Sequence, residues 1–155
     1  MSFNNGYIER TGCKLLKTFI GCFPADLQPT TRKSNFGIIF NLSKHNEEGS
    51  HYVAIYKNKT SLIYFDSFGT PPENKLIIKF LKKHQLNRKI SYNRIKIQDD
   101  SSSFCGIFCL SFLLSQENNV SLGNFLSFFH PSNLKTNDEI TLKLLHFSSE
   151  FIFKI

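Results

Sequence analysis

"IQDDSSSFCGIFCLSFLLS", Ile97–Ser115, is the stretch that decides how this chain folds. A polar segment, Asp99–Ser103, runs straight into Phe104-Cys105-Gly106 and then into a long apolar run. That run is apolar nearly all round, which predicts a buried central helix over Cys105–Gln116. If the helix begins at Cys105, its free N–H groups and its dipole point at the thiol and favour thiolate, the nucleophilic form. Gly106 has no side chain beside the sulfur, so another backbone could approach closely. Most free cysteines are small buried apolar residues. Cys109, one turn further in, fits that description. Cys105 fits it less well, because the polar loop before it predicts exposure.

Strand signals precede this helix. "FGIIFN" (Phe36–Asn41) reads as a buried strand, "HYVAIYK" (His51–Lys57) and "SLIYFD" (Ser61–Asp66) as two more, and the alternating "ISYNRIKI" (Ile90–Ile97) as a fourth. Glu73–His84 predicts a helix that buries Leu76, Ile77, Phe80 and Leu81 and turns Lys75, Lys79, Lys82 and Lys83 mostly away. Pro71-Pro72 suits its start. Ser121–Phe129 and Asn137–Phe147 are further helices, with Asn137 as an N-cap and Asp138 and Glu139 in the favourable first turn.

The whole chain agrees with one α+β domain over residues 1–155. Its 155 residues suffice for a sizeable core, and seventeen Phe with no Trp build that core from large rings. No apolar run reaches the ~18 residues that would span a bilayer, so no membrane partner is expected. The N-terminus shows no uninterrupted apolar segment of the signal-peptide kind. A soluble intracellular chain follows, in which Cys13, Cys22, Cys105 and Cys109 are reduced thiols. Their spacing matches no common zinc pattern, so no metal is expected. The net charge of +7 is unevenly placed. Lys75, Lys79, Lys82, Lys83, Arg88, Lys89, Arg94 and Lys96 fall within Lys75–Ile97, which holds no Asp or Glu. Such a cluster can attract nucleic acid, although composition alone reads as a solvated face.

A cysteine nucleophile needs a base, oriented by a third group. If Asn58-Lys59 is a two-residue hairpin loop, His51 lies directly opposite Asp66, with Cβ atoms roughly 5 Å apart. The carboxylate could then accept from one ring nitrogen and leave the other for the thiol. One residue more or less in the loop would spoil that pairing. Taken singly, His51 reads as a strand-edge histidine and Asp66 as a turn former before Ser67-Phe68-Gly69. Acyl transfer also needs oxyanion donors. Gln98, at a strand end just before the loop to Cys105, could supply one through its amide, and the Cys105 backbone N–H a second. Alone, Gln98 would be a plain surface glutamine.

At these residues the sequence resembles the adenovirus-type endopeptidase (adenain) family of cysteine proteases, closest to the capsid-maturation proteases of Polinton/Maverick elements and related viruses. That family orders its site His, acidic residue, Gln, Cys, as His51, Asp66, Gln98 and Cys105 stand here. "HYVAIY" is similar to its His-aromatic strand and "YFDSFGTPP" (Tyr64–Pro72) to its acidic motif. Gln98 to Cys109, Q-x6-C-G-x-x-C, has its spacing, and "TFIGCFPADLQP" (Thr18–Pro29) is similar to an N-terminal motif of the Polinton type. The resemblance covers roughly Gly12 to Glu117. Adenain has Glu where this chain has Asp66, and Trp is commoner than Tyr52 after the histidine. No cysteine lies between Cys22 and Cys105, so adenain's activating intermolecular disulfide is not carried over.

The resemblance implies an adenain-like fold, a mixed sheet packed by helices with the nucleophile at the N-terminus of the buried helix. It implies a monomeric thiol endopeptidase that needs no cofactor and cuts capsid or core precursors at small, Gly-type residues. It places that work in the host nucleus or viral factory and in the packaged virion. It also implies stimulation by non-specific DNA, with Lys75, Lys79, Lys82 and Lys83 as the contacts. Two alternatives remain open from the sequence. One is a deubiquitinase or SUMO-type isopeptidase, which shares the motif order. The other is an inactive basic DNA-binding relative, against which the intact four-residue set argues.

Overall fold

The computed structural model describes residues 3–43 and 51–153. Five strands form one mixed sheet in the order β1-β2-β3-β4-β5: Phe19–Pro24, Phe36–Asn41, Tyr52–Lys57, Ser61–Phe65 and Lys89–Tyr92. β2, β3 and β4 are antiparallel neighbours, while β1 and β5 run parallel to β2 and β4 at the two edges. A parallel neighbour needs a crossover, and helix α2 (Lys75–Gln85) supplies it between β4 and β5. The other helices are α1 (Asn5–Leu15), α3 (Cys105–Glu117), α4 (Leu122–Ser127) and α5 (Asn137–Phe153). This is the expected α+β architecture.

β2 and β3 are buried along their whole length because both sheet faces are covered. On one face Ile39, Ala54 and Phe65 pack against Phe108 and Phe112 of α3, with the rings of Phe65 and Phe112 stacked at 4.7 Å. On the other, Phe36, Phe40 and Ile55 pack against Phe80 and Ile77 of α2. α3 is buried at nearly every position, as its unbroken apolar run requires. α2 starts two residues later than Glu73, because Asn74 accepts from the N–H groups of Leu76 and Ile77 and so fixes the first turn. Its buried face is Ile77, Phe80, Leu81 and His84; Leu76 is only half-buried.

The structure departs from the sequence reading in further places. The β3–β4 register differs: Lys57 pairs with Leu62 and Ala54 with Phe65, where an Asn58-Lys59 loop would have put Lys57 opposite Thr60. The cause is the Asn58 side chain, whose Oδ1 accepts from the N–H groups of Thr60 and Ser61. That Asx turn makes Asn58 the first residue of the turn instead of its second. The fourth strand stops at Tyr92 because the Asn93 amide replaces the ladder: Oδ1 accepts from Asp66 N–H, and Nδ2 donates to Asp66 O. α1 and β1 carry no clear periodic pattern. α1 is fixed by the Asn4 cap on Tyr7 N–H, and β1 is an edge strand whose pairing is irregular between Phe19 and Cys22, around Gly21 at φ +131. Finally, Asn137 does not cap α5 with its side chain, which turns inward to the backbone of Ile97 and His130.

Candidate active site

The structure brings His51, Asp66, Gln98 and Cys105 to one end of the sheet. His51 immediately precedes β3, and Asp66 immediately follows β4. Asp66 is buried, and its Oδ1 accepts both the Phe68 N–H and His51 Nε2, each at 2.9 Å. A carboxylate only accepts, so Nε2 carries a proton in either charge state, and Nδ1 is the nitrogen that gains or loses the second one. Nδ1 is buried without a well-formed hydrogen bond, yet the Cys105 thiol lies near enough to act on the ring. Burial alone would lower the pKa of His51. Hydrogen bonding to Asp66 and to Cys105, and the negative charge of both, outweigh it and raise the value to about 9.

The Asp66 turn also holds its neighbours. Gly69 N–H donates to Asp66 O at 2.8 Å, and Gly69 adopts φ +73 where a Cβ would strike the backbone of Ile95 and Lys96 at 2.8 Å. Phe68 lies over the His51 ring, with centroids 5.0 Å apart. Ser67 O accepts the N–H groups of Ile97 and Gln98, and its hydroxyl donates to Gln98 Oε1. Gln98 is therefore no surface residue. It is fully buried, and one Nε2 hydrogen goes to Ser102 O at 2.9 Å, leaving a second to give.

Cys105 is the first residue of α3, as the sequence predicts, and no side chain caps that helix. Its dipole and free N–H groups therefore address the sulfur. Cys105 is only 6% exposed, against the expectation of an open thiol. The reason is α1, which lies across the start of α3. Phe3 packs edge-on against Phe104 at 5.1 Å. A Cβ on Gly106 would meet Ile8 Cδ1 at 2.4 Å. Gly106 thus admits a side chain, where the sequence suggested a backbone. Cys109 is fully buried, and burial, then the charges of Cys105 and Asp66, raise its pKa well above the ordinary thiol value.

Comparison with known proteins places the chain in a family and its fold beside a solved one. Residues 24–140 match the family model described as YopJ Serine/Threonine acetyltransferase. The chain belongs to this family. The match spans all four residues above. A protein of Acanthamoeba polyphaga mimivirus named as a thiol protease is 29% identical over 133 residues, covering 70% of this chain and 44% of the relative. The chain thus spans under half the length of that protein. The crystal structure of the ASFV protease superposes with a TM-score of 0.63 at 18% identity, over 90% of this chain and 66% of that one. Its Se-Met form gives 0.52 at 22%, over 70% and 43%. The fold is thus the one found in a viral protease. The comparisons single out neither the adenain nor the Polinton branch.

Sequence reasoning missed Phe68, Ser67, Asn93, Ser102 and Asn137 as residues that hold the site. Asn93 had left a signal. In "ISYNRIKI" the apolar residues are Ile90 and Tyr92 before it and Ile95 and Ile97 after it. The apolar face changes parity there, which a continuous strand cannot do.

Proposed function

We propose that this chain is a cysteine endopeptidase that cleaves viral or element-encoded capsid and core precursors at small, Gly-type residues during virion maturation. The observation that carries the reading is the assembly of a helix-terminal cysteine, a histidine held by a buried carboxylate and a buried, oriented glutamine amide. His51 holds the Cys105 proton as an imidazolium–thiolate pair, and the thiolate attacks the scissile carbonyl. The developing oxyanion accepts hydrogen bonds from Cys105 N–H and the second Nε2 hydrogen of Gln98. Imidazolium His51, held by Asp66, gives its proton to the leaving amine. Water then attacks the thioester, with His51 now the base, and releases the carboxylic acid and the free thiol.

Support for a viral setting comes from the mimivirus relative's name and from the ASFV fold match. Support for DNA as an accessory partner comes from α2, whose Lys75, Lys79, Lys82 and Lys83 are all exposed on the sheet face opposite α3. A second reading is favoured by the matching family's description: the Cys105 thioester passes its acyl group to a Ser or Thr hydroxyl instead of to water. Recombinant chain incubated with co-encoded capsid proteins, with product ends mapped, tests the first reading. Cleavage after small residues that vanishes in Cys105→Ala supports it. Intact capsid proteins, alongside cleaved ubiquitin-like modifiers or acylated Ser/Thr peptides, would overturn it in favour of the corresponding alternative.

A further inference from the structure

The Gln98–Cys105 loop carries both proposed oxyanion donors, and two consecutive residues of α5 hold it, Asn137 just before its start and Asp138 at Ser102 within it. Asn137 is completely buried, and its Nδ2 donates to Ile97 O at 2.8 Å, one residue before Gln98. The same side chain pins His130 through both its N–H and its carbonyl. Asp138 Oδ1 accepts from the Ser102 hydroxyl at 2.7 Å. Ser102 is the hub of the loop. Its carbonyl accepts from Gln98 Nε2, and its hydroxyl oxygen accepts the Phe104 N–H at 3.1 Å, one residue before Cys105. A line of hydrogen bonds therefore runs from Asp138 through Ser102 to each side of the site. The sequence resemblance to adenain-type proteases fades after Glu117, while the family match at residues 24–140 takes in both Asn137 and Asp138.

We propose that Asn137 and Asp138 are positioning residues, which hold the Gln98 amide and the Cys105 N–H at the separation a tetrahedral oxyanion requires. The inference rests on the acyl-transfer reading of the site but not on the identity of the substrate. Displacements of about 1 Å in such donors cost up to about 100-fold in rate, whereas the thiolate–imidazolium pair needs neither donor.

Two small probes separate these effects on the intact chain. With p-nitrophenyl acetate, Cys105 forms the S–acyl bond and expels nitrophenolate through a tetrahedral oxyanion, the thiol proton passing to His51 and then to solvent. With iodoacetamide, the same sulfur displaces iodide and no oxyanion forms. Rates are taken after subtracting the Cys105→Ala background. Asp138→Ala and Ser102→Ala should slow acylation about 10- to 100-fold and leave alkylation within twofold. Asp138→Asn keeps an acceptor for the Ser102 hydroxyl and should recover most of the acylation rate. Equal slowing of both reactions in either Ala variant, or unchanged acylation in both, would overturn the proposal. Because the ester needs no natural substrate, a chain that cleaves no capsid protein but shows this split refutes the endopeptidase reading alone. A chain that cleaves capsid protein without the split refutes only the positioning role. If Asp138→Ala does not fold, Ser102→Ala and Asp138→Asn decide the question.

Discussion

His51 Nε2 lies 2.9 Å from Asp66 Oδ1, although the two residues share no rung of the β3–β4 ladder. Carried past the strand ends, the observed register sets Phe68 opposite His51 and Asp66 opposite Val53. The pair is diagonal, which long side chains reach, and the directly opposed partner of the ring is Phe68, 5.0 Å away. One residue orients the imidazole through a charge and the other by covering its face.

That arrangement sets a pH dependence. The His51 pKa is raised to about 9, burial being outweighed by Asp66 and Cys105, so imidazolium persists through neutral pH and is lost as pH climbs past about 9. Peptide hydrolysis should fall along an alkaline limb near that value. Asp66→Asn removes the charge that raises the ring, so the limb should move down and the maximum rate should fall. His51→Ala should be inactive. By linkage, the stability this histidine contributes is complete below about 6.5 and is lost as pH rises from there through about 9. A kcat/KM profile whose alkaline limb stays in place in Asp66→Asn would contradict the assignment.

The two α3 cysteines should behave differently. Cys105 sits at the helix start beside His51, while Cys109 lies one turn inside the core with its thiol held protonated by burial. Cys105→Ala should abolish cleavage and electrophile labelling at that residue. Cys109→Ala should keep substantial activity, with lower stability because the core around it is less well filled. Equal loss in both folded variants would sink the choice of nucleophile.

Gln98→Ala should lower turnover by about 10²–10³, the effect of losing one oxyanion donor. KM should change less than kcat, because the donor acts on charge that develops only in the transition state. Wild-type turnover in folded Gln98→Ala would remove this amide from the reaction.

Much of this fold was readable from local pattern. The unbroken apolar run of α3 and the apolar stretches of β2, β3 and β4 gave the buried layers, because burial on all sides needs no partner to be inferred. The order His51, Asp66, Gln98, Cys105 pointed to residues that the structure brings together. What stayed hidden were side chains acting on distant backbone. Asn93 closes the ladder at Asp66 and shows in the sequence only as a shift of apolar parity, while Asn137 reaches Ile97 across forty positions and leaves no periodic trace. The hairpin register was hidden for a related reason, since the Asn58 Asx turn is chosen by one side-chain oxygen and not by hydrophobic alternation. α1 was hidden because its buried face is little more than Ile8 and Gly12.

The exposed lysines of α2 allow a salt test of DNA binding. If they track phosphates, affinity for duplex DNA should fall steeply with salt and depend little on sequence. Changing Lys79, Lys82 and Lys83 together to Gln should flatten that slope by roughly 1 for each phosphate that is no longer neutralised. Basal peptide cleavage should survive, because α2 packs on the sheet face opposite α3. An unchanged slope in the triple variant would mean that this face is merely solvated.

Acid should weaken the fold at a second histidine, far from the site. His84 is buried at the end of α2 between the rings of Phe36 and Phe80, and its Nδ1 lies 3.2 Å from Lys57 Nζ. An ammonium only donates, so Nδ1 must be unprotonated to receive it. Burial, then the charges of Lys57, Lys83 and Arg88, lower the His84 pKa to about 4. The unfolded chain binds this proton near pH 6.5 and the folded chain does so only near 4, so stability is full above about 6.5 and declines as pH falls toward 4. The urea midpoint should therefore drop between pH 7 and pH 4.5. His84→Gln retains an acceptor for Lys57 and removes the titration, so its midpoint should be lower at pH 7 but flatter across that range. Equal pH slopes in wild type and His84→Gln would show that the acid sensitivity arises elsewhere.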